Sequence, residues 1–230
     1  MTAELLGLAY TASTWVVPVL LAVTLHEAAH GWTAWKLGDD TAKRLGRVSF
    51  NPLRHVDPFG TVVLPGLLLA VSAPFLFGWA KPVPVNFLRL RDPRRGMVIV
   101  AAAGPVMNLF LAYGSALCLH FVPLLPAGLG EWVSATLFNA VLLNVVLAVI
   151  NMLPLPPLDG GRVAVGLLPP ALARPLARLE RYGFAILIAV LFVVPILSRA
   201  LGQPVSPLAW LVLGPVQYLT RIIANAAGIQ

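Results

Sequence analysis

Long apolar blocks separated by short polar loops divide this chain. About 20 apolar residues suffice to cross a bilayer, and five blocks predict spanning helices: Thr11 to Trp35, Met97 to Val122, Glu131 to Met152, Tyr182 to Leu197 and Pro207 to Ala224. A sixth block, Thr61 to Trp79, is broken by Pro65-Gly66 and Pro74, which suits a kinked or re-entrant segment as well as a straight span. Arg44 to Phe50 and Pro82 to Phe87 read as short edge strands beside the membrane, with Val83 and Val85 alternating in the second. The expected fold class is an all-α polytopic membrane protein of five to six transmembrane helices, with a re-entrant segment and short membrane-edge β-strands. No repeat or low-complexity tract interrupts it. Residues 1–230 are expected to form one domain, with a catalytic core over 11–165 and additional helices over 182–228.

Composition agrees with the pattern. The chain is 59% hydrophobic and 11% charged, with a mean hydropathy of +0.86. Soluble domains carry about 25% charged residues, so one soluble core cannot absorb this excess. The net charge of +7 comes from basic residues in short loops between apolar blocks, where they set membrane orientation rather than contact nucleic acid. The loop from Lys36 to Phe59 holds five of them and the loop from Lys81 to Arg95 another five. Both loops are cytosolic if Thr61 to Trp79 dips in and returns. Pro123 to Gly130 has no basic residue and goes outside, while Pro154 to Arg181 has four and goes inside. This reading places the N-terminus outside and the C-terminus in the cytosol. No Lys or Arg precedes the first block, which therefore reads as a retained span rather than a cleaved signal. The lone Cys118 reads as a small apolar residue.

Chemistry enters at His26-Glu27-Ala28-Ala29-His30, an H-E-x-x-H pattern inside the first predicted helix. A spacing of four puts both imidazoles on one face, one turn apart, where they can share a zinc ion. Glu27 projects to the adjoining side, placed to exchange protons with a water at the metal. Ionisable residues inside a membrane helix are costly and functional by default. Ten residues, or about 15 Å of helix, separate His26 from Lys36, so the metal would lie below the cytosolic surface of the bilayer.

Such a site needs a third protein ligand, typically His or a carboxylate. His120, Glu4 and Glu131 fall at outer ends of their blocks. Asp159 falls at the cytosolic end of its span, after Pro154, Pro156 and Pro157 and before Gly160-Gly161. Read alone, Asp159 suits a metal ligand and a helix N-cap equally; the shared side with His26 and His30 favours the ligand. His55 reads as a loop histidine with local hydrogen bonds.

These residues resemble the site-2 protease family of intramembrane zinc metalloproteases. H-E-A-A-H is similar to its first signature, and Asn151 to Gly160 fits N-x-x-P-x-P-x-L-D-G at every fixed position. Gly104-Pro105-Val106-Met107-Asn108 looks like the intervening G-P-x-x-N. The resemblance is to the short, compact branch, without PDZ or CBS domains, sharing Asn51-Pro52, His55, Asp57-Pro58, Gly78-Trp79 and Lys81-Pro82. It implies one Zn2+ per chain held by His26, His30 and Asp159, with Glu27 as general base. It implies a catalytic role for Asn151 in holding the substrate backbone or oxyanion, and substrate-binding roles for Asn108, Pro154 and Pro156. For Asn108, a helix–helix hydrogen bond is an equal alternative. The implied partners are the lipid bilayer and membrane-protein substrates with a transmembrane segment, cut near the cytosolic side; the implied location is a prokaryotic cell membrane. Rival readings of the same site are a membrane peptidase acting on free peptides, a metal-ion carrier and an inactive scaffold.

Overall fold

The computed structural model describes residues 3–63, 67, 80–202 and 207–229. The helices are numbered here over those residues. Helix α1 (Ala3–Lys36) is followed by the short α2 (Thr41–Arg44), then by α3 (Pro93–Cys118) and α4 (Ala127–Asn151). Next come α5 (Asp159–Leu167), α6 (Pro170–Arg178), α7 (Gly183–Ile188), α8 (Val194–Ala200) and α9 (Pro207–Ala227). Among the described residues, three stretches are long and apolar enough to cross a membrane: Ala9–Lys36, Pro93–Leu124 and Ala127–Asn151. They coincide with the first three spans read from the sequence.

These helices are apolar on their outer faces as well as inside. Val16, Val17 and Leu21 of α1, Val106 and Phe110 of α3, and Phe138 and Leu142 of α4 all stand exposed. A helix hydrophobic all round belongs in lipid or a large core, and this bundle is too small to cover them. The protein is an integral membrane protein.

Small residues bring the central helices together. Ala22, His26, His30 and Ala34 recur every four residues along one face of α1, each buried. Val100, Gly104 and Asn108 form the facing row on α3, also buried. Without a hydrophobic drive in lipid, such helices associate through close packing and interhelical hydrogen bonds. The start of α3 is set by Asp92, whose carboxylate accepts the N–H of Arg94 and Arg95, with Pro93 at the first helical position.

The strands expected at 44–50 and 82–87 do not form; among the described residues there is no strand. Arg44 closes α2, and Leu45-Gly46 turns the chain back. Pro82 and Pro84 have no N–H to give to a ladder. The neighbouring donors are committed elsewhere: Lys81 N–H to the His55 carbonyl, Val83 N–H to Glu27, and Asn86 N–H to Asp39. The re-entrant block at 61–79 lies outside the described residues apart from 61–63 and 67.

The C-terminal direction is a second correction. The expected orientation places the C-terminus at the same end as the metal motif. Instead His120, beyond the end of α3, donates to the Ala227 carbonyl at the end of α9 (2.6 Å). At the other end of α9, Leu211 lines a cavity with Met152 and Leu153. Helix α9 therefore runs from the Asp159 end of the bundle to the opposite end. Gly183 also sits at the Asp159 end, against Pro156 and Pro157.

Segment 81–86 is clamped to the end of α1 by buried charges. Arg47, 8% exposed, donates to the Lys81 and Pro82 carbonyls. Asp39, fully buried, accepts the Asn86 N–H (2.6 Å) and both the N–H and hydroxyl of Thr41. Burial alone would raise the Asp39 carboxyl. The bonds from Thr41 and Asn86 and the nearby Arg89 charge outweigh it and hold the group below its usual 3.8. A carboxyl depressed on folding stabilises above its unfolded value and loses that contribution as pH falls through the folded one. Protection of the Asn86 amide from hydrogen exchange, corrected for intrinsic rate, is expected to fall below pH about 3.8. In Asp39→Ala it should be lost already at neutral pH.

Candidate metal centre

Three donor atoms converge where α1, α3 and α5 meet. His26 Nε2 and His30 Nε2 are 3.1 Å apart, and Asp159 Oδ2 lies 3.2 Å from the first and 3.3 Å from the second. All three residues are buried, at 7 to 8% exposure. Among the described residues this is the group of three His, Cys, Asp or Glu side chains placed to share an ion. A tetrahedral zinc with ligands at about 2.0–2.1 Å has ligand–ligand edges of about 3.3 Å, so the triangle fits one face of that tetrahedron.

The hydrogen bonds on the far sides of the rings make the fit chemical as well. His26 Nδ1 faces Asn108 Oδ1 (2.5 Å), and His30 Nδ1 faces the Val100 carbonyl (2.7 Å). Both partners are acceptors, so both Nδ1 atoms carry the proton, and the neutral rings turn Nε2 lone pairs inward. Two lone pairs then face a carboxylate oxygen that is buried and has no hydrogen-bond partner. That arrangement repels itself unless a cation stands among the three atoms.

Asn108 is in turn fixed from behind. Its Nδ2 donates to Asn144 Oδ1 (2.8 Å), and Asn144 Nδ2 donates to the Ala140 carbonyl (2.8 Å) within α4. Asn108 and Asn144 are 0% and 2% exposed. Such outer partners set ligand tautomer and orientation, and their loss commonly costs 10- to 100-fold in metal affinity. Asn108→Ala is therefore expected to weaken zinc binding by about 10- to 100-fold in chelator competition, with Asn144→Ala shifting it the same way by less.

Glycines make room for the centre. A Cβ on Gly104 would lie 2.4 Å from His30 Nε2 and 2.6 Å from His26 Nε2. On α5, a Cβ on Gly160 would lie 2.3 Å from the Met152 carbonyl, and one on Gly161 2.4 Å from Pro156 N. The two glycines let the 152–158 turn, which includes a cis Pro156–Pro157 peptide, fold back on the start of α5 and present Asp159.

The remaining sequence-derived residues divide. Glu27 is half-buried beside the two histidines, and its Oε2 accepts the Val83 N–H (2.7 Å). Asn108 contacts a metal-side histidine rather than an open groove. Asn151 ends α4 with its amide donating to the Leu147 carbonyl (3.0 Å). Pro156 is buried in the turn and Pro154 exposed on it. His55 stands apart, buried, with Nε2 donating to the Ser49 carbonyl (3.0 Å). Sequence reasoning missed Asn144, the Val100 carbonyl and the Val83 N–H. Only Asn144, a polar side chain inside an apolar block, left a trace that could have been followed.

Fold and site together define a polytopic membrane protein with two buried histidines and one buried carboxylate placed to share a metal ion. Comparison with known proteins narrows the class. Peptidase family M50 matches over residues 127–194. The Bacillus subtilis (strain 168) protein named "Putative zinc metalloprotease YwhC" is 40% identical over 198 residues, covering 81% of this chain and 83% of that protein. "Putative zinc metalloprotease Rip2" of Mycolicibacterium smegmatis is 32% identical over 182 residues, and its Mycobacterium tuberculosis (strain H37Rv) counterpart 32% over 179. These matches cover 78% of this chain and 66% of each mycobacterial protein. No solved structure matches. The chain belongs to peptidase family M50, the site-2 proteases, and its metal is zinc.

Proposed function

We propose that this protein is an intramembrane zinc metalloendopeptidase that hydrolyses peptide bonds within or beside transmembrane segments of other membrane proteins, near the cytosolic side. The observation that carries this reading is the convergence of His26, His30 and Asp159 at a helix long and apolar enough to cross a membrane, with Glu27 next to His26 in that helix. His26, His30 and Asp159 hold one zinc per chain and leave a position open. Zinc, when bound, supplies Lewis acidity toward the scissile carbonyl and acidifies a water molecule. Glu27 takes the proton from the attacking water and passes it to the leaving nitrogen. The Val83 N–H holds one Glu27 oxygen and orients the other for that transfer.

Peptide groups of a membrane helix are already paired, so the substrate unwinds before it is cut. Asn151 would exchange its bond to Leu147 for the oxyanion, with Pro154 and Pro156 shaping the turn beside it. The catalytic part spans 11–165, and α7 to α9 add to it.

A membrane-anchored substrate and the same sequence as a free peptide test the assignment. Cleavage of the anchored form alone is expected. Equal cleavage of both would favour a membrane peptidase of free peptides.

A further inference from the structure

One helix beside the metal-site turn is amphipathic yet buries no residue fully. In α6 and the single 3₁₀ turn after it (Leu179–Tyr182), Leu172, Leu176 and Leu179 recur at i, i+4 and i+7. Arg174, Arg178 and Arg181 repeat the same spacing two residues on, which at 100° per residue places them on the opposite face. Neither element buries a residue fully: Leu172 is 56% exposed and Leu179 39%, with Leu176 between them partly covered. Among the described residues, Glu180 is paired with Arg162 (2.9 Å), and no carboxylate pairs with the three arginines.

The fold fixes the level at which this helix lies. Arg94, in the first turn of the spanning helix α3, donates to the Gly166 and Leu168 carbonyls. The chain leaving α5 is thus tied to the end of a membrane span, where hydrocarbon gives way to headgroups. Helix α6 begins two residues later. At its far end the chain returns to Gly183, packed on Pro156 and Pro157 at the foot of the metal-site turn.

We propose that residues 170–182 form an in-plane helix that docks on the anionic headgroup layer of the same bilayer, with its leucines in the acyl boundary and its arginines on lipid phosphates. An apolar stripe opposite a basic one is the pattern of interfacial helices. Each arginine near an anionic surface contributes about a fivefold gain in docking, so three together give a gain on the order of 100-fold. This surface is separate from the metal centre and does not depend on the proteolytic reading.

The test uses the full chain in liposomes with Cys118, its one cysteine, replaced by alanine. Single nitroxides are placed by Leu172→Cys, Leu179→Cys and Ala177→Cys. Their collisions with oxygen, which concentrates in lipid, and with a water-soluble nickel chelate are compared in neutral phosphatidylcholine and with phosphatidylglycerol added. The 172 and 179 labels should favour oxygen and Ala177→Cys the chelate. The contrast should grow with phosphatidylglycerol, and that growth should vanish in R174Q/R178Q/R181Q. Labels at 172 and 179 that meet the chelate as freely as the one at 177 would overturn the proposal. So would protection from both reagents, which would mean that protein covers the face, and so would lipid burial indifferent to lipid charge.

Discussion

Glu27→Gln should leave a protein that binds about one zinc and cleaves nothing measurable. Glutamine keeps the size of the side chain, and its carbonyl oxygen can still accept the Val83 N–H that now holds Glu27 Oε2 at 2.7 Å. The ring partners Asn108 and Val100 and the Asp159 carboxylate are untouched. What disappears is a group able to take a proton from water and return it to nitrogen, a contribution of about 10²- to 10⁴-fold in rate. Initial cleavage rate and bound zinc, measured on the same preparation, separate the two roles. Loss of zinc together with activity would make Glu27 a structural element of the site. Zinc flux into liposomes that survives Glu27→Gln would favour the carrier reading, in which that glutamate has no task.

Gly104→Ala should abolish tight zinc binding, because the added methyl would stand among the donor atoms. Its Cβ would be 2.4 Å from His30 Nε2 and 2.6 Å from both Cε1 and Nε2 of His26. Neither ring can swing aside without breaking its bond to Val100 or Asn108, and Ala22 and Ala34 already bring α1 close to α3. An affinity loss of about 100-fold or more is expected, at or beyond the upper end for disturbed outer partners, read by chelator competition. Gly114→Ala is the control on the same helix. Its Cβ would meet nothing within 4 Å, so zinc binding should be unchanged. Equal zinc affinity in Gly104→Ala and wild type would show that the three donor atoms do not hold the metal.

Much of the centre could be read from the sequence because its chemistry is local. Two histidines one turn apart need only a helix to share a face, and an aspartate after three prolines and before two glycines announces a turn. The three central spans were legible for the same reason: length and apolarity are properties of a segment. What escaped depends on register between segments. Asn144 matters because α4 places it against Asn108, and the sequence distance of 36 residues gives no hint of that. The Val83 N–H and Val100 carbonyl are backbone groups, invisible to any reading of side-chain types. The expected strand at 82–87 rested on Val83 and Val85 alternating, but Pro82 and Pro84 withhold donors, Glu27 and Asp39 accept the N–H groups of Val83 and Asn86, and Arg47 takes the Lys81 and Pro82 carbonyls. Loop charge misled for α9, whose direction follows from its packing on α3 and α4 through Val212, Val216 and Ile223.

The most direct test is cleavage of a single-span membrane protein by the purified chain in liposomes, with zinc stripped and then returned. Cuts within or beside the span are expected, with none after chelation and recovery that saturates at about one zinc per chain. Cutting that persists in the stripped protein, or a zinc-loaded wild type that leaves membrane-spanning substrates intact, would contradict the proposed function.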